Sequence, residues 1–583
     1  MGADTLSSLG NFVWGIADQL RGVYKPHQYG GVILPFTILR RLDCILEPTR
    51  DDVRTLAAKY SGGALDVQVK RKAGLSFYNA SPFDIKLLLE DPEGLRANLM
   101  DYITGFSANI DVFERYKFDN ELATLDEKNR LYLITSKFAE VDLHPNTVSN
   151  AEMGDLFEFL IYKFAEASNE EAGEHYTPRD AIRLMVDLLF AEANEALLEP
   201  GTVRSIYDPT AGTGGMLSVA EERLLERNPD ARLRLYGQEI NDQSYAICKS
   251  DMLAKGQDAG NIRLGDTLSD DQFWDRTFDF CMSNPPYGFD WKASKDAIEK
   301  EALAQGSRFS HGLPSIGDGQ MLFLTHLAHK MRPSHEGGGR AGIVLNGSPL
   351  FSGAAESGPS KIRQWLLEHD LVEAIVALPT NMFFNTGIAT YIWLLDNTKR
   401  AERQHKVQLI DATSFWTKIR KNLGSKNREV DAAARDRILA LYDAFDEADP
   451  YYSKVFSAAD FAYWTITVEH PLLDEDGNPV TDSKGKPKPD GKRRDTENIP
   501  FTYGGNTDGD AGRSATIKAY FETEVLPHAP EAWIDSKKIK VGYEIPFARH
   551  FFKYVPPRPL VEIDADLEKQ VTKILGLLRE VEG

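Results

Sequence analysis

Between residues 181 and 396, short apolar runs rich in β-branched side chains alternate with amphipathic segments of helical spacing. This alternation is typical of parallel strands joined by crossover helices. It predicts a doubly wound, mostly parallel α/β sheet. We expect strands at 203–207, 233–238, 262–264, 278–282, 342–345, 372–377 and 390–395, and helices at 216–226, 243–254, 321–331 and 361–369.

Other parts of the chain have different patterns, and 583 residues exceed what one hydrophobic core usually supports. Apolar residues at three- and four-residue spacing predict an all-helical N-terminal domain, in which we identify no catalytic residue. Residues 289–318 have little periodicity and predict a long loop beside the core. The predicted domains are a helical domain (1–165), the α/β core (166–450), a C-terminal region (451–563) with a solvated surface insertion (474–513), and a C-terminal helix (564–583).

The C-terminal helix is predicted from an apolar seam at spacings of four, three, four and three residues. A seam of this kind needs a packing partner. The helix either folds back on its own chain or binds another one, and the second reading makes it a partner-binding helix. The seam consists of Leu567, Val571, Ile574, Leu578 and Val581.

Composition limits the classes of function. No apolar run approaches the roughly 20 residues of a membrane span, and no export signal is visible, so we expect a cytoplasmic protein without membrane contact. The cysteines Cys44, Cys248 and Cys281 have no metal-ligand spacing, so no metal site is expected. The net charge of −21 is unusual for a protein that binds DNA without a partner. Either the substrate is not a nucleic acid, or a partner protein supplies many of the contacts to DNA.

A glycine-rich turn follows the first predicted strand, in 203-VRSIYDPTAGTGGML-217. Gly212 and Gly214 allow a ligand to approach the backbone closely, although the third glycine of a dinucleotide fingerprint is missing. Glu239 ends the next strand, where a carboxylate can accept ribose hydroxyls, and Asp266 follows 262–264, where it can accept an adenine amino group. Each acid alone is more often a cap or a surface charge. Their order along successive strand ends favours a site for an adenosine-containing cofactor.

The strand at 278–282 runs directly into Asn284, Pro285, Pro286 and Tyr287. Two consecutive prolines fix φ and remove two backbone donors, so this loop is stiff and offers carbonyl acceptors. Together with the glycine turn, the tetrapeptide resembles the motifs of the amino-group DNA methyltransferases. The resemblance implies a Rossmann-like methyltransferase core that uses S-adenosylmethionine as its methyl donor.

The same resemblance implies roles for individual residues. The Asn284 side-chain oxygen and the Pro285 carbonyl accept the two amino hydrogens, and Tyr287 stacks on a base flipped out of the duplex. Phe384, or its neighbour Phe383, is the second aromatic that clamps the base, unless it only packs in the core. The catalytic set is Asn284, Pro285, Pro286, Tyr287 and Phe384.

The cofactor set adds a segment upstream of the glycine turn, 173-GEHYTPRDAIRLMVDLL-189, which resembles the part that closes over the methionine end of the cofactor. A purely structural reading is also open, because Thr177 and Pro178 suit a helix start. The implied cofactor-binding residues are Glu174, His175, Tyr176, Thr177, Pro178, Arg179, Asp208, Thr210, Gly212, Thr213, Gly214, Gly215, Glu239 and Asp266.

Segments outside these motifs, at 11–22, 32–43, 105–114 and 525–554, resemble the modification subunit of type I restriction-modification systems. That resemblance implies N6-adenine methylation in double-stranded DNA, with two modification subunits beside one specificity subunit and in some systems a nuclease and translocase subunit. A separate specificity subunit would account for the acidic charge, and it leaves the DNA target sequence unreadable from this chain. The basic segment 418–428 is either a phosphate contact or a solvated surface.

Three alternatives remain at this point. Cytosine N4 is also a conjugated amine and suits an asparagine before two prolines. A protein glutamine methyltransferase uses the same tetrapeptide to hold an amide. The chain could also be a non-catalytic scaffold of an anti-phage complex that has kept the fold. The intact motif residues argue against a loss of catalytic activity.

Overall fold

The computed structural model divides into two compact units, 1–545 and 546–583. It describes residues 12–25, 28–74, 77–149, 177–191, 197–254, 257–383, 386–423, 425–506, 509–552 and 559–582, together with single positions between 152 and 163. Among these residues, no helix is long and apolar enough to cross a membrane.

A large mixed sheet forms the centre of the first unit. Within the described ranges it has nine strands in the order β11-β8-β6-β7-β5-β4-β1-β2-β3. Neighbouring strands run parallel except for β7, which is antiparallel to β5 and β6, and β11, which is antiparallel to β8. The predicted doubly wound, mostly parallel sheet is confirmed. The strands are β1 (Val203–Asp208), β2 (Arg232–Glu239), β3 (Ile262–Leu264), β4 (Phe280–Ser283), β5 (Arg340–Asn346), β6 (Val372–Ala377), β7 (Thr390–Asp396), β8 (Lys406–Asp411) and β11 (Ser453–Ser457).

Burial explains why the sequence pattern located these strands well. Every residue of β6 is buried, because helices cover both faces of a parallel sheet, and its sequence is accordingly a nearly continuous apolar run. Glu373 is the exception in that run, and its carboxylate pairs with the Arg340 guanidinium at 2.7 Å. Arg340 also pairs with Asp396 at 2.6 Å, so the buried charges of three adjacent strands neutralise one another.

All four predicted crossover helices are present, with ends within three residues of expectation. They are Gly215–Arg227, Asp242–Ala254, Gln320–Lys330 and Gly358–Glu368. The prediction of an unstructured loop over 289–318 is wrong for Lys295–Ala302, which is helical. Ile298 is the one buried residue of that helix, and a Lys295–Glu299 pair spans one turn on its exposed side. A single apolar contact is too little periodicity to detect in a sequence.

The N-terminal region is helical, as predicted. Its apolar side chains share a core with Ala246, Ile247 and Leu253 of the helix Asp242–Ala254. An ion pair between Lys249 of that helix and Asp111 of the N-terminal region, at 2.6 Å, joins the same two parts of the chain. The helices are Tyr29–Leu46, Arg50–Ala57, Gly63–Ala73, Ile85–Leu88, Leu95–Thr104, Val112–Arg115, Phe118–Glu127 and Leu131–Ala139.

Two smaller β structures follow the main sheet. A hairpin is formed by β9 (Thr417–Leu423) and β10 (Lys426–Glu429), and it precedes the helix Ala432–Ala444. In the second structure, the central strand β12 pairs antiparallel with three others. Its strands are β12 (Ala462–Glu469), β13 (Asp495–Pro500), β14 (Trp533–Ile534) and β15 (Lys540–Tyr543).

The predicted insertion at 474–513 is only partly a surface feature. Its segment Asp495–Pro500 is strand β13, and Ile499 of that strand is fully buried, so the prediction was wrong there. Residues 471–489 form a ring in which Leu472 N donates to Lys488 O, Lys488 N to Val480 O and Val480 N to Leu472 O, each at 2.7 or 2.8 Å. Backbone bonds rather than a core therefore order this exposed segment.

The second unit contains the helix Leu560–Glu582, which begins four residues before the predicted start at 564. The apolar seam lies within this helix. A short helix, Phe547–His550, precedes it in the same unit.

Candidate active site

A cavity of about 560 Å³ opens where the parallel strands β1 to β4 end. Ligand sites in doubly wound sheets form at this edge, because the loops after successive strands converge there. The lining residues come from the glycine turn, the ends of β2 and β3, the tetrapeptide loop and the segment before residue 179. They are Thr177, Ile182, Pro209, Thr210, Ala211, Gly212, Thr213, Gly215, Met216, Glu239, Ile240, Asn241, Gly265, Asp266, Thr267, Asn284, Pro286, Tyr287, Gly288, Phe289 and Phe323.

The glycine turn is held by the strand beside it. Gly212 N donates to Glu239 Oε2 at 2.7 Å, and Asn241 N donates to Glu239 Oε1 at 2.8 Å. The carboxylate at the end of β2 therefore fixes both the turn and its own loop, and each oxygen retains acceptor capacity toward the cavity.

Gly214 shows why the turn needs glycine. Its φ is +85°, in the left-handed region, and a Cβ there would lie 2.8 Å from Cys248 Sγ. The helix Gly215–Arg227 starts at the next residue. Any side chain at this position would push the turn away from Cys248 and the helix Asp242–Ala254 to which Cys248 belongs.

Asp266 lies at the cavity wall but is already well engaged. Its oxygens accept hydrogen bonds from Leu268 N at 3.0 Å and from the Ser269 hydroxyl at 2.6 Å, and the Ser294 hydroxyl donates as well. Asp266 thus anchors the turn at residues 267–269, where no helix begins for it to cap, and these bonds are compatible with its place in the cavity wall.

Asp208, at the end of β1, is fully buried and is not among the described residues that line the cavity. Its Oδ1 accepts from Thr210 N at 2.9 Å, while Oδ2 has no hydrogen-bond partner within the described chain. Burial raises the pKa of this carboxyl to about 7, and the nearby charge of Glu239 acts in the same direction. The Thr210 hydroxyl also contacts Ser283 Oγ at 2.8 Å, which ties the glycine turn to β4.

The raised pKa of Asp208 predicts a pH-dependent stability. Between the ordinary pKa of 3.8 and about 7, the folded chain holds a proton that the unfolded chain has lost, so the free energy of unfolding falls as pH rises through this window. Asp208→Asn keeps the shape but cannot ionise. We expect the variant to gain stability relative to the parent, by roughly 4 kcal/mol at most, between pH 4 and 8. Thermal unfolding across that range measures the difference, and parallel curves for the two proteins would contradict it.

The tetrapeptide loop lies opposite the glycine turn. Asn284 Nδ2 donates to Thr177 Oγ1 at 2.8 Å, and the Tyr287 hydroxyl donates to Asn284 Oδ1 at 3.0 Å. Burial raises the pKa of the Tyr287 hydroxyl, which therefore stays protonated and able to donate. These two bonds orient the Asn284 side chain with its oxygen beside the cavity. Pro285 is buried and Pro286 is exposed.

The aromatic partner of Tyr287 in the described chain is Phe383. The two rings meet edge to face, with 6.1 Å between their centres. Phe383 is 3% exposed and belongs to the core, so core packing is its observed role. Phe384 lies outside the described residues, as do Glu174, His175 and Tyr176. Of the upstream segment, Thr177 lines the cavity, Pro178 is buried, and Arg179 starts the helix Arg179–Ala191 and lies 4.0 Å from Glu222.

The apolar cavity residues that were not predicted from the sequence include Ile240, Phe289 and Phe323. Ile240 is 66% exposed, although an isoleucine is normally buried. The available signal was its position directly after Glu239, at the carboxyl end of a strand. Phe289 and Phe323 meet edge to face at 6.0 Å, and because they are 34 positions apart no local pattern indicates that contact.

Two family models match the chain. The model described as N-6 DNA Methylase matches residues 148–463, and the model described as HsdM N-terminal domain matches 9–138. The MjaIX methylase subunit of a type I restriction enzyme from Methanocaldococcus jannaschii is 27% identical over 440 residues, which are 70% of this chain and 73% of that protein. The HindI methylase subunit from Haemophilus influenzae is 29% identical over 264 residues, 45% of this chain and 54% of that protein.

Solved structures agree in fold. The type I methyltransferase subunit from Streptococcus thermophilus has a TM-score of 0.60 at 23% identity and covers 78% of this chain and 96% of its own. A type I modification subunit from Vibrio vulnificus has a TM-score of 0.52 at 19% identity, with coverage of 82% and 95%. Because the first family model spans more than half of the chain and the second matches the helical region before it, this chain belongs to the N-6 DNA methylase family, as a methyltransferase subunit of the type I restriction-modification class.

Proposed function

We propose that this chain methylates the N6 amino group of adenine in double-stranded DNA, with S-adenosylmethionine as the donor. The supporting observation is that one cavity is lined by the glycine turn, Glu239 and Asn284. A donor site and an amine-orienting asparagine are thus adjacent, as methyl transfer requires.

The cavity fits the adenosine part of that donor. Glu239 has acceptor capacity for two ribose hydroxyls, the exposed face of Ile240 suits an adenine ring, and Asp266 can accept from the adenine amine. The turn below the cofactor would be formed by Thr210, Gly212, Thr213, Gly214 and Gly215, with Asp208 behind it. The segment 174–179 would close over the methionine end. When bound, S-adenosylmethionine supplies an electrophilic methyl group on a sulfonium.

The residues of this chain would orient the amine that receives the methyl. Asn284 Oδ1 accepts from Tyr287 in this structure, and an adenine amino hydrogen would take over that acceptor. The Pro285 carbonyl would accept the second hydrogen, so that the nitrogen lone pair faces the methyl group. The target base is flipped out and stacks on Tyr287, and because Phe383 is buried, Phe384 is the better candidate for the second aromatic. The methylated amine loses its extra proton after the methyl transfer, so no general base with a shifted pKa is needed.

Sequence recognition would come from a separate specificity subunit flanked by two copies of this chain, with a nuclease and translocase subunit in some assemblies. The charge of −21 supports a division of this kind, because it leaves little basic surface for independent DNA binding. We also retain the domain division 1–165, 166–450, 451–563 and 564–583 as a proposal, with the last helix binding a partner. A DNA substrate favours the cytoplasm of a prokaryotic cell.

The division of labour predicts that the purified chain alone binds S-adenosylmethionine but methylates DNA poorly. Adding the specificity subunit is expected to raise methyl incorporation by at least about 100-fold, since specific complexes are typically 10³-fold or more tighter than non-specific ones. Incorporation of radiolabelled methyl groups into DNA measures this. Efficient, sequence-specific methylation by the chain alone would contradict the two-subunit model, and label in protein rather than DNA would favour a protein glutamine methyltransferase.

A further inference from the structure

The hairpin of β9 and β10 is a basic feature on a strongly acidic chain. Five cations and one acid lie between residues 417 and 429, whereas the whole chain carries a net charge of −21. Lys418 and Arg420 are exposed, and Arg428 is partly exposed.

Three of these cations share one face of the hairpin. Lys418 and Arg428 are direct cross-strand partners, and Arg420 is two residues from Lys418 on the same strand. Like charges directly opposite each other destabilise a strand pair. Among the described residues, no acidic side chain lies within 4.0 Å of the charged groups of these three cations to form an ion pair.

One cation of this face is held in place by an aromatic ring. The Arg428 guanidinium lies 4.1 Å from the centre of the Trp416 ring and donates to Thr380 Oγ1 at 3.0 Å. Trp416 is itself 37% exposed. A fixed guanidinium beside two exposed cations forms a pre-arranged surface for a polyanion.

The hairpin is fixed at two points to segments that adjoin the cavity-lining residues Thr177 and Tyr287. Asn427 N donates to the Asn381 carbonyl at 3.0 Å, in the loop after β6 that carries Phe383. The buried Lys426 ammonium pairs with Asp180 at 2.9 Å and donates to Met382 O at 3.0 Å. Asp180 is three residues from Thr177, which holds Asn284. The hairpin therefore contacts both segments that support the tetrapeptide loop.

We propose that the basic hairpin binds the phosphate backbone of DNA beside the flipped base, through Lys418, Arg420 and Arg428. This inference rests on the proposed function and specifies where the acidic chain itself contacts its substrate. DNA is favoured over an acidic protein surface because the hairpin is anchored to the two segments that contact Asn284 and Tyr287, where the flipped base would be held. The cations on this face then neutralise phosphates and release counterions.

The test measures binding of the full chain to a labelled non-specific duplex by fluorescence anisotropy at several salt concentrations. Each lost phosphate contact reduces the slope of log K against log salt by about 0.9, so Lys418→Gln with Arg420→Gln should reduce it by about 2 and weaken binding in roughly 0.1 M salt about 100-fold. The matched control, Lys484→Gln with Lys486→Gln, removes the same charge from the exposed ring at 471–489 and should leave the slope unchanged. Both variants should bind S-adenosylmethionine as the parent does.

Equal slopes for the parent and the hairpin variant, or equal losses in both variants, would overturn the hairpin proposal. Weaker assembly with the specificity subunit at an unchanged DNA slope would also overturn it, because the face would then be a protein interface. These outcomes differ from a failure of the proposed function, which would appear as an absence of labelled methyl groups in DNA with the unaltered chain and its specificity subunit.

Discussion

Asn284→Ala is expected to lower the rate of methyl transfer to DNA by roughly 10²- to 10³-fold, which is the range for removing one positioned electrostatic group. The side chain is held by Thr177 on one side and Tyr287 on the other, with its oxygen beside the cavity. Without the asparagine oxygen as a hydrogen-bond acceptor, the target amine stays conjugated with the adenine ring and its lone pair is poorly directed toward the methyl group. Single-turnover assays of the assembled complex measure the loss.

The affinity for S-adenosylmethionine separates this effect from a damaged fold. It should stay within about twofold of the parent value in Asn284→Ala, because in the proposed mechanism the asparagine contacts the base that receives the methyl group and not S-adenosylmethionine. Tyr287→Phe is the matched control, because it removes the hydroxyl that donates to Asn284 Oδ1 and keeps the ring. We expect a loss of about tenfold at most, the size of one neutral hydrogen bond. Transfer by Asn284→Ala within tenfold of the parent would exclude this residue from the mechanism.

Glu239→Ala is expected to weaken binding of S-adenosylmethionine by about 100-fold or more. A hydrogen bond to a charged group contributes roughly 1.5–3 kcal/mol, and two ribose hydroxyls would be lost together. The truncation also removes the acceptor for Gly212 N, so the glycine turn loses its support from β2. Isothermal titration calorimetry measures the affinity.

Glu239→Gln provides a graded comparison for that result. The amide keeps the side-chain length and one acceptor oxygen, so the affinity of Glu239→Gln for S-adenosylmethionine should lie between those of the parent and the alanine variant. If both variants bind the donor as tightly as the parent, the cavity beside Gly212 is not the donor site, and the roles assigned to this strand end are wrong.

The sequence was sufficient to place the strands and the turns that follow them. β6 and β3 have their predicted bounds. For β6 the reason is that a buried parallel strand is a nearly continuous apolar run. The ends of such strands meet at one edge, so the prediction that Gly212, Glu239, Asp266 and Asn284 lie near one another needed only the strand order. The cavity brings these four residues together, while their individual roles remain predictions.

Contacts between distant segments were beyond sequence reasoning. Asn284 and Thr177 are 107 residues apart, and Lys426 and Asp180 are 246 residues apart, so neither pairing leaves a local pattern. Lys426 belongs to the basic segment 418–428, yet it is buried with a paired ammonium, whereas Lys418 is exposed. A run of charge in a sequence does not show which of its members face solvent.

The most direct test is nucleoside analysis of DNA incubated with the chain, its specificity subunit and S-adenosylmethionine carrying an isotopically labelled methyl group. The account predicts label in N6-methyladenine, and its loss when Asn284 is replaced by alanine. Label in N4-methylcytosine or in protein, with none in adenine, would contradict it.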